Sequence, residues 1–321
     1  MKKQIDLFPD VADALGIDSV SIVEKDFYII ELLKMIKDAA YHSHQLVFSG
    51  GTALSKSGIA LNRMSEDVDI KMVPNVRFLS KSREQRKKIR RELIGSIIKK
   101  IESLDFFKIN LENAIKRDEY RYYEVEIQYP QKHQQAPCLR PFIKLEFIET
   151  ELLEPPKNRN ISSLVTQLTD QGDVIESLPC ATNESTHVEK LISIMRRTAS
   201  LNRGYDRFDD KSLVRHIYDN YCIVTHQPPD YQKLSIFMYN CIQQDIARYS
   251  NQYPEFCEFP LKELQLGLDR LRDDPIHEQR YLKFVLPMVF SKNKITWKNA
   301  YATFHTTASI LLNILNEKYY N

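Results

Sequence analysis

The chain has 321 residues, 43% hydrophobic and 27% charged, with a formal net charge of +2, the composition of a globular protein able to bury a full core. It holds no run of about eighteen apolar residues and no signal-peptide pattern, which argues against a membrane-bound or secreted protein and for a cytoplasmic one. The five cysteines, 138, 180, 222, 241 and 257, are scattered without a C-x-x-C pair, so reduced core thiols are expected rather than disulfides or thiolate metal sites.

Apolar residues recur at helical spacing from Ser21 to Ala40, among them Ile22, Val23, Phe27, Ile30, Leu33 and Ile36. A first strand is expected at Gln45–Phe48, then the turn Gly50-Gly51, a helix near Ala53–Ala60 and a second strand at Val68–Met72. Pro74 breaks the chain, and a basic helix follows near Lys81–Glu102. Tyr122–Tyr129 and Phe142–Ile148 read as two more strands. After Pro155-Pro156 the pattern is almost wholly helical, with helices expected at Glu184–Ser200, Ser212–Thr225, Gln232–Ser250, Leu261–Arg272 and Thr303–Glu317. The fold class is therefore α+β: a core with a small mixed sheet over residues 1–175, then a helical domain over 176–321 that completes the cleft.

Two features carry chemistry. Asp67 and Asp69 stand at i and i+2 on a strand, so their carboxylates share one face. Paired acids there repel unless a cation intervenes, and hard divalent ions that also bind phosphates suit them. The plainer alternative is a strand end whose acids face solvent or pair with Arg63 or Lys71. The Gly50-Gly51 turn lets the backbone approach a phosphate, and the following helix offers unpaired N–H groups. The Gly51 and Thr52 amides are expected to hold triphosphate oxygens with the Thr52 or Ser55 hydroxyl assisting, while Lys56 reaches a phosphate or caps the surface. Glu66 points to the other face and reads as a surface or supporting group. Between Lys81 and Lys100 the basic residues 81, 83, 86, 87, 88, 90, 91, 99 and 100 face only Glu84 and Glu92. That run is either a solvated helix face or a contact for a phosphate backbone.

Gly-Gly-Thr-x-Leu-x-Lys followed by Arg-x-Ser-Glu-Asp-x-Asp resembles the AbiEii-type nucleotidyltransferases, the toxin components of type IV toxin–antitoxin and abortive-infection systems within the DNA polymerase β-like superfamily. Val23-Glu24-Lys25-Asp26-Phe27-Tyr28 is also similar to the family, as is Glu189-Lys190-Leu191. Arg215-His216-x-Tyr218-Asp219 resembles its Arg-(His/Asp)-x-x-Asp helix, although Arg215 and Asp219, one turn apart, also suit a surface salt bridge. The resemblance covers most of residues 20–225.

What the resemblance implies is a polymerase β-like core using Mg2+ or Mn2+ and a nucleoside triphosphate. Asp67 and Asp69 would bind metal, and Gly50, Gly51, Thr52, Ser55, Lys56, Arg63 and Lys190 the triphosphate. A further catalytic acid would be Glu146 or Asp219; Lys144 shares the face of Glu146 and neutralises it in the alternative reading. The implied acceptor is RNA, with tRNA 3′ ends leading, lined by the basic helix, Arg196, Arg197, Arg203 and Arg207; the implied partner is a separately encoded antitoxin. Two other readings stand beside this one: a catalytically silent nucleotide-binding regulatory protein of the same fold, and a metal-dependent nuclease using the same acids.

Overall fold

The structure, a computed structural model, describes every residue except Met1, Asp38, Ala40, Asp206, Arg207, Phe208, Ser250, Lys292 and Asn321. The expectations that fell on Ala40, Arg207 and Ser250 thus lie outside the described residues. The chain divides into two compact units, one of Met1–Gly58 with Asn62–Thr182, the other of Ile59–Leu61 with Asn183–Asn321.

The first unit carries seven strands: β1 His44–Ser49, β2 Asp67–Pro74, β3 Lys108–Arg117, β4 Tyr122–Gln128, β5 Ile143–Glu149, β6 Lys157–Ile161 and β7 Ile175–Cys180. They form one mixed sheet in the order β3-β4-β5-β2-β1-β7-β6. β2 lies antiparallel to β1 and parallel to β5. Its helices are α1 Lys2–Ile5, α2 Phe8–Leu15, α3 Val20–Lys37, α4 Gly50–Ser55, α5 Val76–Leu79, α6 Arg83–Glu102 and α7 Leu164–Thr169. Alternation along β4 and β5 sends Val125, Ile127, Leu145 and Phe147 into the core and leaves Glu124, Glu126, Lys144 and Glu146 half-buried on the other face. A capping box between Ser82 and Gln85 fixes the start of α6.

β3, β6 and β7 were not anticipated. β3 and β6 are edge strands, which need few apolar residues because only one side is paired. β3 is also bulged between Asn110 and Ile115, and β6 reads Lys-Asn-Arg-Asn-Ile. Because β7 still belongs to the sheet, the first unit runs to Thr182, past the boundary drawn from sequence at 175.

The second unit consists of α8 Asn183–Asn202, α9 Arg215–His226, α10 Tyr231–Tyr249, α11 Pro254–Glu258, α12 Pro260–Asp273, α13 Ile276–Phe284 and α14 Trp297–Leu315. Leu191, Met195, Ile217, Met238, Leu268 and Phe304 build its core. Gly267 lets α12 approach α8, since a Cβ there would strike the Met195 carbonyl. Ile59 and Leu61 are buried in this unit, where the Tyr218 hydroxyl donates to the Leu61 carbonyl at 2.7 Å. The five cysteines are thiols outside any disulfide, and Cys180, Cys222 and Cys241 are buried. Among the described residues no helix is long and apolar enough to cross a membrane.

A buried histidine gives this unit a pH dependence. His187 Nε2 donates to Asn220 Oδ1 at 2.6 Å, and burial, only partly offset by that bond, lowers the ring's pKa from 6.5 to about 4. Between those values the unfolded chain binds a proton that the folded chain refuses, so stability falls as pH drops through this window. The expected loss from pH 7 to pH 5 is about 2 kcal/mol. His187→Gln should remove that much of the slope in urea unfolding measured at the two pH values.

Candidate active site

The glycine turn is packed onto the strand that carries the acids. Ser49 ends β1 in extended conformation, and Gly50 follows at φ +75°, a left-handed region that favours glycine. A Cβ on Gly50 would collide with Asp69 Oδ2, and one on Gly51 would sit 2.6 Å from Ser65 Oγ. Glycine is thus required at position 50 to seat the turn against β2, while a side chain at 51 would make the Ser65 hydroxyl turn away. The first amides of α4 have no carbonyl within their own helix. The Thr52 and Ser55 hydroxyls do not project as expected: Thr52 donates to the Asp67 carbonyl and to Ser65 Oγ, and Ser55 to the Thr52 carbonyl. They lock the turn to the strand. Lys56 neither caps the surface nor reaches outward; its Nζ lies buried 2.6 Å from Asp26 Oδ1 on α3. Arg63 is also buried, its Nη1 donating to the Met64 carbonyl at 2.8 Å.

On β2 the two acids share one face, as the spacing requires. Register pairs Asp67 with Lys144 and Asp69 with Glu146 across the parallel β2–β5 ladder, and Glu146 with Glu124 across β5–β4. Neighbours in register lie about 4.8 Å apart, so Asp69, Glu146 and Glu124 form a row of carboxylates. Lys144 stands inside this field, its Nζ 3.2 Å from Glu146 Oε2 and 3.8 Å from Glu124 Oε2. Burial alone would lower its pKa, but Asp67, Glu146, Asp69 and Glu124 together raise it, so it stays charged. Tyr122 donates to Glu146 Oε2 at 2.9 Å and also to Glu124; burial first, then those charges, push its pKa up and keep it a neutral donor.

The partner of Asp67 was missed from sequence. It is Arg140, from the loop between β4 and β5, whose Nη2 donates to Asp67 Oδ1. Glu66 is a buried anchor rather than a surface group: it accepts from Lys25 Nζ at 2.6 Å, from Arg140 Nε at 3.0 Å and from the Arg140 amide at 2.8 Å. Three consecutive polar residues of α3 are buried for this purpose. Glu24 accepts from the Lys132 and His133 amides, Lys25 binds Glu66, and Asp26 binds Lys56 and the Leu164 amide. Helical periodicity gives no hint of them, although the Val23–Tyr28 string did stand out.

The donor set fits a hard divalent cation. It is all oxygen, and Gly50, lacking a Cβ, lets the Asp69 carboxylate pack directly against the glycine turn. Among the described residues no three His, Cys, Asp or Glu side chains gather into a metal cage. Mg2+ commonly uses one or two carboxylates and takes the rest of its shell from water and substrate phosphate. An apolar recess lined by Leu33, Ile36, Leu46, Phe48, Ile70 and Leu178 lies on the opposite face of the sheet.

In the second unit, Lys190 is buried on α8 and pairs with Asp219 Oδ2 of α9 at 2.9 Å. Asp219 is fully buried, so a surface salt bridge with Arg215 does not describe it. His216 is kept neutral by burial and by the Lys190 and Arg215 charges. Arg196, Arg197 and Arg203 are engaged inside the unit by Asp245 at 2.9 Å, Asp210 at 3.9 Å and Glu263 at 2.7 Å. Of the basic run, Arg90 is buried and grips Glu149 at 2.6 and 2.9 Å, while Lys81, Arg83, Lys87, Lys88, Arg91 and Lys99 are exposed. Against its burial, His44 and Arg90 hold the Glu149 carboxyl down to about 2.

The family model described as "Nucleotidyl transferase AbiEii toxin, Type IV TA system" matches residues 32–303. Among solved structures, MenT4, a nucleotidyltransferase toxin from Mycobacterium tuberculosis H37Rv, is 16% identical with a TM-score of 0.53, covering 95% of this chain and 89% of that one. JHP933 from Helicobacter pylori is 16% identical with a TM-score of 0.41, covering 92% of this chain and 96% of that one. The likeness to MenT4 is one of fold. No curated protein matches the sequence.

Proposed function

This chain belongs to the AbiEii nucleotidyl transferase toxins of type IV toxin–antitoxin systems, and from that premise we propose that it transfers a nucleoside monophosphate from a triphosphate to RNA in the cytoplasm. A tRNA 3′ end is the acceptor we favour, and a separately encoded antitoxin the partner. Asp67 and Asp69 hold Mg2+ or Mn2+ in this reading. Held by these two residues, such an ion would supply positive charge that offsets the charge of the reacting triphosphate.

The remaining work falls to the chain itself. The Gly50, Gly51 and Thr52 amides bind triphosphate oxygens, and the Thr52 and Ser55 hydroxyls hold those amides in place. Arg63 and Lys56 add positive charge behind the turn. Glu146, carried beside Asp69, accepts the proton of the attacking hydroxyl, with Lys144 and Tyr122 fixing its orientation. Lys190 supplies charge to the triphosphate, and Asp219 orients it. The exposed basic residues of α6 offer phosphate contacts to RNA. The observation that carries this reading is the close seating of the Gly50 turn against Asp69, which sets the first amides of α4 beside the acid pair.

Incubation with each α-labelled triphosphate, Mg2+ and total RNA tests it. Label is expected in RNA from at least one nucleotide; binding of triphosphate without incorporation from any of the four would overturn it. That outcome would favour a catalytically silent nucleotide-binding regulator. One observation speaks for that second reading: Arg140 and Lys144 already neutralise Asp67 and Glu146.

A further inference from the structure

We propose that Arg140 is an internal counter-ion of the metal site: it pairs with Asp67 and must yield that carboxylate for a divalent cation to bind. The inference rests on the reading of Asp67 as a metal ligand.

The geometry separates what anchors Arg140 from what it neutralises. Its amide donates to Glu66 Oε2 at 2.8 Å, its Nε to Glu66 Oε1 at 3.0 Å, and its carbonyl accepts from Lys25 Nζ at 2.9 Å and Gln135 Nε2 at 3.1 Å. None of these bonds involves Asp67. Nη2 donates to Asp67 Oδ1, a contact separate from these anchors, which can hold the residue while it breaks. Glu66, moreover, already has the buried Lys25 ammonium at 2.6 Å. The guanidinium charge is therefore at the disposal of Asp67. A guanidinium stays charged at any working pH, so the contact cannot be relieved by deprotonation; it has to be displaced. Arg140 is also the more accessible partner, with 34% of its side chain exposed against 8% for Asp67. It has somewhere to move, and Asp67 has not.

Two roles for this residue predict opposite signs. If Arg140 merely holds the loop of residues 129–142 and thereby Asp67, removing it loosens the carboxylate and weakens metal binding. If it competes for Asp67, removing it takes away a competing positive charge and strengthens metal binding.

The experiment is Mn2+ titration of the full chain, without nucleotide and again with ATP, followed by the paramagnetic resonance signal of the free ion, on wild type, Arg140→Gln, Arg140→Lys, Asp67→Asn and the double variant Asp67→Asn with Arg140→Gln. Arg140→Gln is expected to bind Mn2+ about tenfold more tightly than wild type. Arg140→Lys should fall between them, because one ammonium cannot bridge Glu66 and Asp67 as the planar fork does. Asp67→Asn should bind weakly with or without the Arg140 change. Binding by Arg140→Gln equal to or weaker than wild type overturns the proposal, and Arg140→Lys decides the matter in the same way should the glutamine variant not fold. If wild type binds Mn2+ in the presence of ATP and neither variant gains affinity, the metal reading survives and the competition falls. If no protein takes up Mn2+ even with ATP, both fall together.

Discussion

Asp69→Asn is expected to lose label incorporation by three orders of magnitude or more, roughly the upper end of what one preorganised charge contributes, while keeping wild-type stability or gaining some. The asymmetry follows from the surroundings. Asp69 lies in a row with Glu146 and Glu124, so neutralising it relieves repulsion in the resting fold. Asp67→Asn should cost as much activity but lower the melting temperature slightly, since it dismantles the Arg140 contact. Transfer assays and thermal melts on the two variants read both quantities. Retained incorporation by the Asp69 variant would sink the assignment of the site.

Lys25→Met should cost about 3 kcal/mol of stability in urea unfolding. The Lys25 side chain is fully buried and its Glu66 partner is 6% exposed, so losing the ammonium strands a carboxylate in the interior. Burial lowers the lysine's own pKa and Glu66 raises it back in part, which marks how strongly the two charges depend on each other. Arg140 remains on Glu66 and keeps the loss from growing further. The double variant with Glu66→Gln should recover part of the stability, because removing both charges is milder than removing one. A Lys25 variant as stable as wild type would show that the pair is solvated and that α3 does not brace the site.

The acids, the glycine turn and four of the seven strands were legible because each obeys a local rule. Alternation betrays β4 and β5, and the i, i+2 spacing of Asp67 and Asp69 puts both on one face of β2. What stayed hidden is non-local. The Arg140–Asp67 contact joins residues far apart in sequence, and nothing around Cys138-Leu139-Arg140-Pro141 signals a site. The fate of Lys56 was hidden for the same reason: its partner Asp26 sits on a helix whose polar residues look solvent-facing until the fold buries them. The edge strands β3 and β6 escaped because a strand paired on one side needs little apolar alternation. In the second unit the buried ion pair inverted the usual expectation that lysines face water, and Asp219 is what holds Lys190 inside.

The segment Ile59–Leu61 has a consequence for how the molecule is made. It is translated early, directly after the glycine turn, yet its berth includes the Tyr218 hydroxyl, which leaves the ribosome far later. A nascent chain therefore carries the stretch between its turn and its acids untethered until the final third arrives. Cutting the gene at the unit boundary would not yield two tidy pieces: residues 183–321 alone would leave the Tyr218 hydroxyl without the Leu61 carbonyl, and the polypeptide that ends before them would display Ile59 and Leu61 to water.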